Sequence, residues 1–148
     1  MITNDSISEH FSLLAKLMDI HGENSFKAKS YASAAFTIDK LEQELSTLDP
    51  QTIFSVRGIG ATMGKKIIEQ LETGKLEILE SYLEKTPAGI LEMLRIKGIG
   101  PKKIATIWKE LEIETLGELL YACEENRLTL YKGFGEKTQA NIQAAIEF

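Results

Sequence analysis

The sequence predicts an all-α protein built as two small helical subdomains. Three observations carry that reading. Proline is scarce, at three residues, and no alternating β-branched run reaches strand length. Apolar residues recur at three- and four-residue steps through most of the chain. A short glycine-containing turn followed by an amphipathic helix occurs three times.

Taken in order, Ser6-Ile7-Ser8-Glu9 reads as a capping box, followed by Ile7, Phe11, Leu14 and Met18 on one face, with Gly22 as the stop. Asn24 is placed to cap a second helix carrying Ala28, Tyr31, Ala35 and Ile38. Leu41, Leu45 and Leu48 suggest a shorter amphipathic piece. Asp49-Pro50 reads as N-cap and first residue of the next helix, and Thr86-Pro87 repeats the device. Thr115-Leu116-Gly117-Glu118 is a second capping box, opening a helix through Leu119, Leu120 and Cys123.

The repeat reads apolar, basic, Gly, apolar, Gly: Val56-Arg57-Gly58-Ile59-Gly60, Ile96-Lys97-Gly98-Ile99-Gly100 and Tyr131-Lys132-Gly133-Phe134-Gly135. Seven residues after the last glycine stand Ile67, Ile107 and Ile142; eleven after stand Leu71, Leu111 and Ile146. A small residue, Gly64, Ala105 or Ala140, lies four or five positions on. Such a turn leaves the first amides of the following helix without internal partners at the positive end of its dipole, which is an anion site. The apolar residue between the glycines is expected to plug the helix pair. Lys65 and Lys66, Lys102 and Lys103, and Lys137 add charge one or two turns later. The ligand this chemistry suits is a phosphodiester held without base contact.

The 148 residues hold 17 Lys and Arg against 22 Asp and Glu, a net charge of −5. Residues 1–50 account for most of it, with four basic against eight acidic side chains, so any anion-binding surface must be local. A single cysteine, Cys123, with only His10 and His21 beside it, excludes a disulfide framework and a zinc cluster of the usual kind. No apolar run approaches the ~20 residues of a membrane span. The expectation is a soluble, cytoplasmic, monomeric protein. His10 and His21 read as solvated helix-end residues, Trp108 and Cys123 as core, and Glu110, Glu112, Glu114 and Glu118 as solvent-facing. Phe26, opening its helix, could stack on a terminal base.

The three repeats are identified as helix-hairpin-helix motifs, and the order of segments resembles the N-terminal region of family X DNA polymerases, the bacterial members above all. The likeness runs through LAKLMDIHGENSFKAKSYASAA (14–35), GIGATMGKKIIEQLETGKLEILE (58–80), LEMLRIKGIGPKKIATIWKELEIETLGEL (91–119) and KGFGEKTQANIQAAI (132–146). It implies a gap-end binding domain over residues 1–80 and a duplex-binding subdomain over 81–148, with the third hairpin-like turn at 131–148. It implies DNA as partner, gapped, nicked or primer-template, in DNA repair and base excision repair. On this likeness the DNA-binding residues are Lys27, Arg57, Gly58, Ile59, Gly60, Lys65, Lys66, Lys97, Gly98, Ile99, Gly100, Lys102, Lys103, Lys132, Gly133, Gly135 and Lys137. It also implies a monovalent cation, Na+ or K+, on the carbonyls of Phe54, Val56 and Ile59 and of Leu94, Ile96 and Ile99.

The departures from the family are specific. Its polymerase palm needs three metal-binding aspartates, whereas the four here, Asp5, Asp19, Asp39 and Asp49, all precede the first turn, so no nucleotidyl-transfer site is expected. Arg57, Lys97 and Lys132 stand where many relatives have proline. Some members are 5′-deoxyribose-phosphate lyases, and Lys66 aligns with their Schiff-base nucleophile, with Lys27 and Tyr31 at other pocket positions. Thr62 and Ile78 stand where two further pocket lysines are expected, and Phe26 replaces a stacking histidine. Two other readings stay open: a weak lyase, and a helical scaffold that binds protein.

Overall fold

The computed structural model describes residues 2–148. All of its regular structure is helical, as expected: nine α-helices and two short 3-10 turns among the described residues. The chain divides into two compact units, one running to Glu84 and the other spanning Lys85–Phe148.

In the first unit, α1 (Asn4–Ile20) and α2 (Ser25–Asp39) form an antiparallel pair. Helix α1 buries Ile7, Phe11, Leu14 and Met18, and α2 buries Ala28, Tyr31, Ala35 and Ile38. Phe11 and Tyr31 meet with ring centroids 5.6 Å apart. Two boundaries differ from expectation. Helix α1 starts three residues early because Thr3, not Ser6, is its N-cap; the Ser6 N–H donates to Thr3 Oγ1. The reason is tertiary. Asn4 is buried, donating from Nδ2 to Gln43 O and accepting from Leu45 N–H, and that clip holds the earlier turn in helical form. The same clip replaces the expected helical piece at Leu41–Leu48 with one 3-10 turn, Leu45–Thr47, in which only Leu45 is fully buried. Helix α2 begins as expected, with Asn24 accepting from the amides of Phe26 and Lys27.

Asp49 caps α3 (Pro50–Ser55) through the Thr52 N–H at 2.8 Å, with Pro50 at its first position. That bond holds the Asp49 carboxyl below its ordinary range. Helix α4 (Ala61–Thr73) packs on α3 at a point where Gly64 faces the Phe54 ring; a Cβ there would come within 2.5 Å of two ring carbons. Helix α5 (Glu77–Glu84), not anticipated from the sequence, buries Leu79 and Tyr82 against α1. Tyr82 Oη donates to Glu23 Oε2 at 2.7 Å; burial, then the Glu23 bond, pushes the phenol up to about 12, so it stays a donor.

The second unit holds α6 (Ala88–Met93), α7 (Pro101–Lys109), α8 (Leu116–Glu124) and α9 (Glu136–Glu147) around Ile90, Met93, Ile104, Ile107, Leu119 and Ile142. Thr86-Pro87 does not repeat the Asp49-Pro50 device: Pro87 itself is the N-cap of α6, and Thr86 is buried. Helix α6 lies against the cap of α8. A Cβ added at Gly89 would collide with the Glu114 carbonyl oxygen. Thr115 caps α8 as expected, accepting from the Glu118 N–H, while Glu118 Oε1 accepts from the Glu114 N–H.

Three other expectations need correction. His10 is not a helix-end residue but sits within α1, with Nδ1 2.7 Å from Gln70 Oε1 on α4. Because Gln70 Nε2 donates to Lys66 O, its Oε1 is the acceptor and His10 Nδ1 carries the proton. His21 is a helix-end residue as expected, the C-cap of α1, but it is half-buried, its ring edge-on to Tyr82 with centroids 5.5 Å apart. Trp108 is half-buried rather than core, its Nε1 donating to Glu114 Oε2 with the Lys109 ammonium 3.9 Å from its ring centroid. Cys123 is core, and burial pushes its thiol up to about 11, which suits no nucleophile.

Candidate functional site

The three glycine turns share one backbone conformation. The first glycine of each is left-handed, with φ of +92° at Gly58, +98° at Gly98 and +91° at Gly133. The second is the N-cap of the next helix, with φ of −89°, −96° and −90° at Gly60, Gly100 and Gly135. The residues between them, Ile59, Ile99 and Phe134, are buried as plugs. A left-handed first glycine reverses the chain within one residue, a conformation a side chain resists.

A glycine N-cap carries no side chain to occupy the helix end, and none of the three has a side-chain cap. In the first turn the first helical bond is Gly64 N–H to Gly60 O at 2.8 Å, so the amides of Ala61, Thr62 and Met63 precede it. In the second turn it is Ile104 N–H to Gly100 O; Pro101 has no N–H, which leaves the amides of Lys102 and Lys103. In the third it is Gln139 N–H to Gly135 O, after Glu136, Lys137 and Thr138. All six glycines are solvent-exposed, as are Arg57, Lys97, Lys102, Lys132 and Lys137. The turns are therefore neither walled off nor internally satisfied.

The small-residue register is different from the one expected. Four positions after the last glycine, the structure buries Gly64, Ile104 and Gln139, while Ala105 is half-buried and Ala140 exposed. Only the first pair approaches through a small residue. In the third, Gln139 reaches across instead, accepting from Leu128 N–H and donating to Asn126 Oδ1. The first arm of that turn is a 3-10 turn, Leu128–Leu130, rather than an α-helix.

In the first unit the turn borders an open groove of about 490 Å³. One wall is Gly58, Gly60 and Ala61–Met63; the other is Phe26, Lys29, Ser30 and Ser33 of α2. Phe26 is 79% exposed there. Lys29, Ser30 and Ser33 were missed from the sequence, although with Phe26 they follow the i, i+3, i+4, i+7 spacing of one helix face. Lys27, Arg57, Lys65 and Lys66 are not among the lining residues. Lys65 is exposed and Lys66 half-buried in α4. Tyr31, implied to share a pocket with Lys66, is buried against Phe11, its phenol raised by desolvation and then by Glu69.

The carbonyls implied for a monovalent cation, of Phe54, Val56 and Ile59 and of Leu94, Ile96 and Ile99, belong to the first two turns, and backbone oxygen is the donor type a hard cation takes. Val56 O accepts the Ile59 N–H at 3.0 Å and keeps a second lone pair.

Comparison with known proteins agrees with this geometry. Residues 2–76 match the family described as helix-hairpin-helix domain, and residues 90–147 match the SAM-like helix-hairpin-helix tandem. The chain is 33% identical over 133 residues to the DNA polymerase/3'-5' exonuclease PolX of Bacillus subtilis (strain 168), covering 90% of this chain and 23% of that protein. It is 29% identical over 117 residues to DNA polymerase lambda of Rattus norvegicus, 78% of this chain and 19% of that protein. It thus spans about a fifth of the length of the curated relatives it matches. The resemblance to family X DNA polymerases read from the sequence is borne out, and the chain belongs to the helix-hairpin-helix domain family.

Proposed function

We propose that the chain binds DNA without sequence readout, gripping the backbone phosphates of gapped or nicked duplex, as the DNA-holding region of a family X polymerase acting in repair. The observation that carries this reading is the pair of matched turns at Gly58–Gly60 and Gly98–Gly100. Each presents uncapped amides, an exposed left-handed glycine and nearby cations. Phosphate oxygens accept from the amides of Ala61–Met63 and of Lys102 and Lys103, and the helix dipole favours their charge. Lys65, Lys97, Lys102 and Arg57 add screened attraction. The names of both relatives as DNA polymerases support DNA as the ligand.

The carbonyls of Phe54, Val56 and Ile59, or of Leu94, Ile96 and Ile99, would hold a monovalent cation, which would supply positive charge toward a phosphate. In the third turn Glu136 occupies the first helical position, placing a carboxylate where the other turns present Ala61 or Pro101, so that turn contributes little to phosphate binding.

The Schiff-base role implied for Lys66 is not carried into this reading. Thr62 and Ile78 stand where two pocket lysines are implied, and Tyr31 is buried against Phe11. Borohydride trapping on a 5′-deoxyribose-phosphate gap is expected to give no adduct that Lys66→Ala abolishes.

The direct test is a fluorescence titration of the chain on a gapped duplex at low salt. Binding is expected, and Gly98→Val is expected to lose more affinity than Lys102→Ala. Absence of binding, or a larger loss in the lysine variant, overturns the reading.

A further inference from the structure

The unit Lys85–Phe148 has a second surface that the glycine turns do not use. Residues 110–125 contain six glutamates and no lysine or arginine. Within that stretch the connection from α7 to α8 and the exposed side of α8 enclose an open groove of about 490 Å³. Leu111 and Ile113, both buried, lie beneath it, and Tyr121 stands 56% exposed beside them. Gly117 leaves bare backbone between, since a Cβ there would meet only Thr115 Oγ1, at 4.0 Å. Glu112 and Glu118 also line the groove, with Arg127. Glu124 and Glu125 follow Tyr121 by three and four residues.

This combination selects a class of partner. A run of carboxylates repels a phosphate backbone, so the surface is unsuited to nucleic acid. A half-exposed tyrosine next to bare backbone is the kind of anchor that dominates protein interfaces, and surrounding charge sets which partner is admitted. Glu112 is held at φ +57°, a conformation uncommon for a residue with a side chain.

We propose that this groove docks a basic amphipathic protein segment. An apolar side chain of the segment seats over the bare backbone at Gly117 against the Tyr121 ring. Its lysines or arginines face Glu112, Glu118, Glu124 and Glu125. Arg127 disfavours a uniformly cationic ligand, so the positive charges of the segment gather toward the glutamates.

The test uses the full chain, 15N-labelled, titrated with a helical Lys/Leu amphipathic peptide, a Glu/Leu peptide of the same pattern, and a gapped DNA duplex. The Lys/Leu peptide is expected to shift amides within 111–127. Its affinity should fall about tenfold in Tyr121→Ala, severalfold in Glu112→Asn, whose replacement tolerates the backbone, and not at all in Lys102→Ala. Gly117→Leu fills the groove and is expected to abolish binding; the two milder variants decide the matter where that one fails to fold. Shifts confined to the glycine turns, equal binding of the Glu/Leu peptide, groove shifts caused by DNA, or indifference to Tyr121→Ala would each overturn the proposal.

Discussion

The second and third glycine turns, both in the unit Lys85–Phe148, share the backbone conformation of their two glycines and differ in chemistry. Gly98 and Gly133 have φ of +98° and +91°, and Gly100 and Gly135 cap the next helix with φ within a few degrees of each other. Around that shared corner the second turn has a six-residue α-helix on its first arm, Pro101 at the head of its second helix and then two lysines. The third has a single 3-10 turn, Glu136 at the helix head and Leu130 80% exposed where the second has Arg95. The corner is thus a folding device in both and, on the proposed reading, an anion device in only one. What separates them is which residue follows the second glycine.

The sharpest break of that comparison is valine at the first glycine. Nothing lies within 4 Å of a Cβ at either Gly98 or Gly133, so the penalty is conformational, about 1–3 kcal/mol at each. Thermal melts are expected to show similar losses. Affinity for a gapped duplex should fall about tenfold or more for Gly98→Val and stay within about twofold of the parent for Gly133→Val. Equal affinity losses would erase the distinction between the turns.

Next in size is Gln139→Ala, which removes the acceptor of the buried Leu128 N–H. It is expected to cost about 1–3 kcal/mol, a drop in Tm of about 4–8 °C per kcal/mol for a unit of this size, with DNA affinity unchanged. The helix heads give a smaller effect. Pro101→Glu should weaken binding about two- to fivefold, and Glu136→Lys should strengthen it by a similar factor, the range of a single charge at a helix N-terminus. The smallest effect is in the salt dependence. Two turns neutralising one or two phosphates each give a slope of log affinity against log salt of about −2 to −4, and Gly98→Val should bring it closer to zero.

These turns were legible in the sequence because each of their parts is local. Glycine at the left-handed position, a buried plug and a helix starting at once are all set within five residues. The caps at Asn24, Asp49 and Thr115 were legible for the same reason. What escaped was decided at a distance. Thr3 displaced Ser6 as a cap because Asn4 reaches residues 43 and 45. Gln139 rather than Ala140 is buried because its amide satisfies a backbone N–H eleven residues earlier. His10 is half-buried rather than solvated because its ring bonds Gln70, sixty residues away. The groove wall of Lys29, Ser30 and Ser33 had a helical spacing that could have been read, but nothing in the sequence placed it opposite Gly58.

Gly89 carries a consequence of its own. Its neighbour is the Glu114 main chain, which, unlike a side chain, has no rotamer to escape into. In a saturation library position 89 should therefore admit no substitute. Second-site suppressors should be rare, because no change of side chain at 114 or 115 removes a carbonyl.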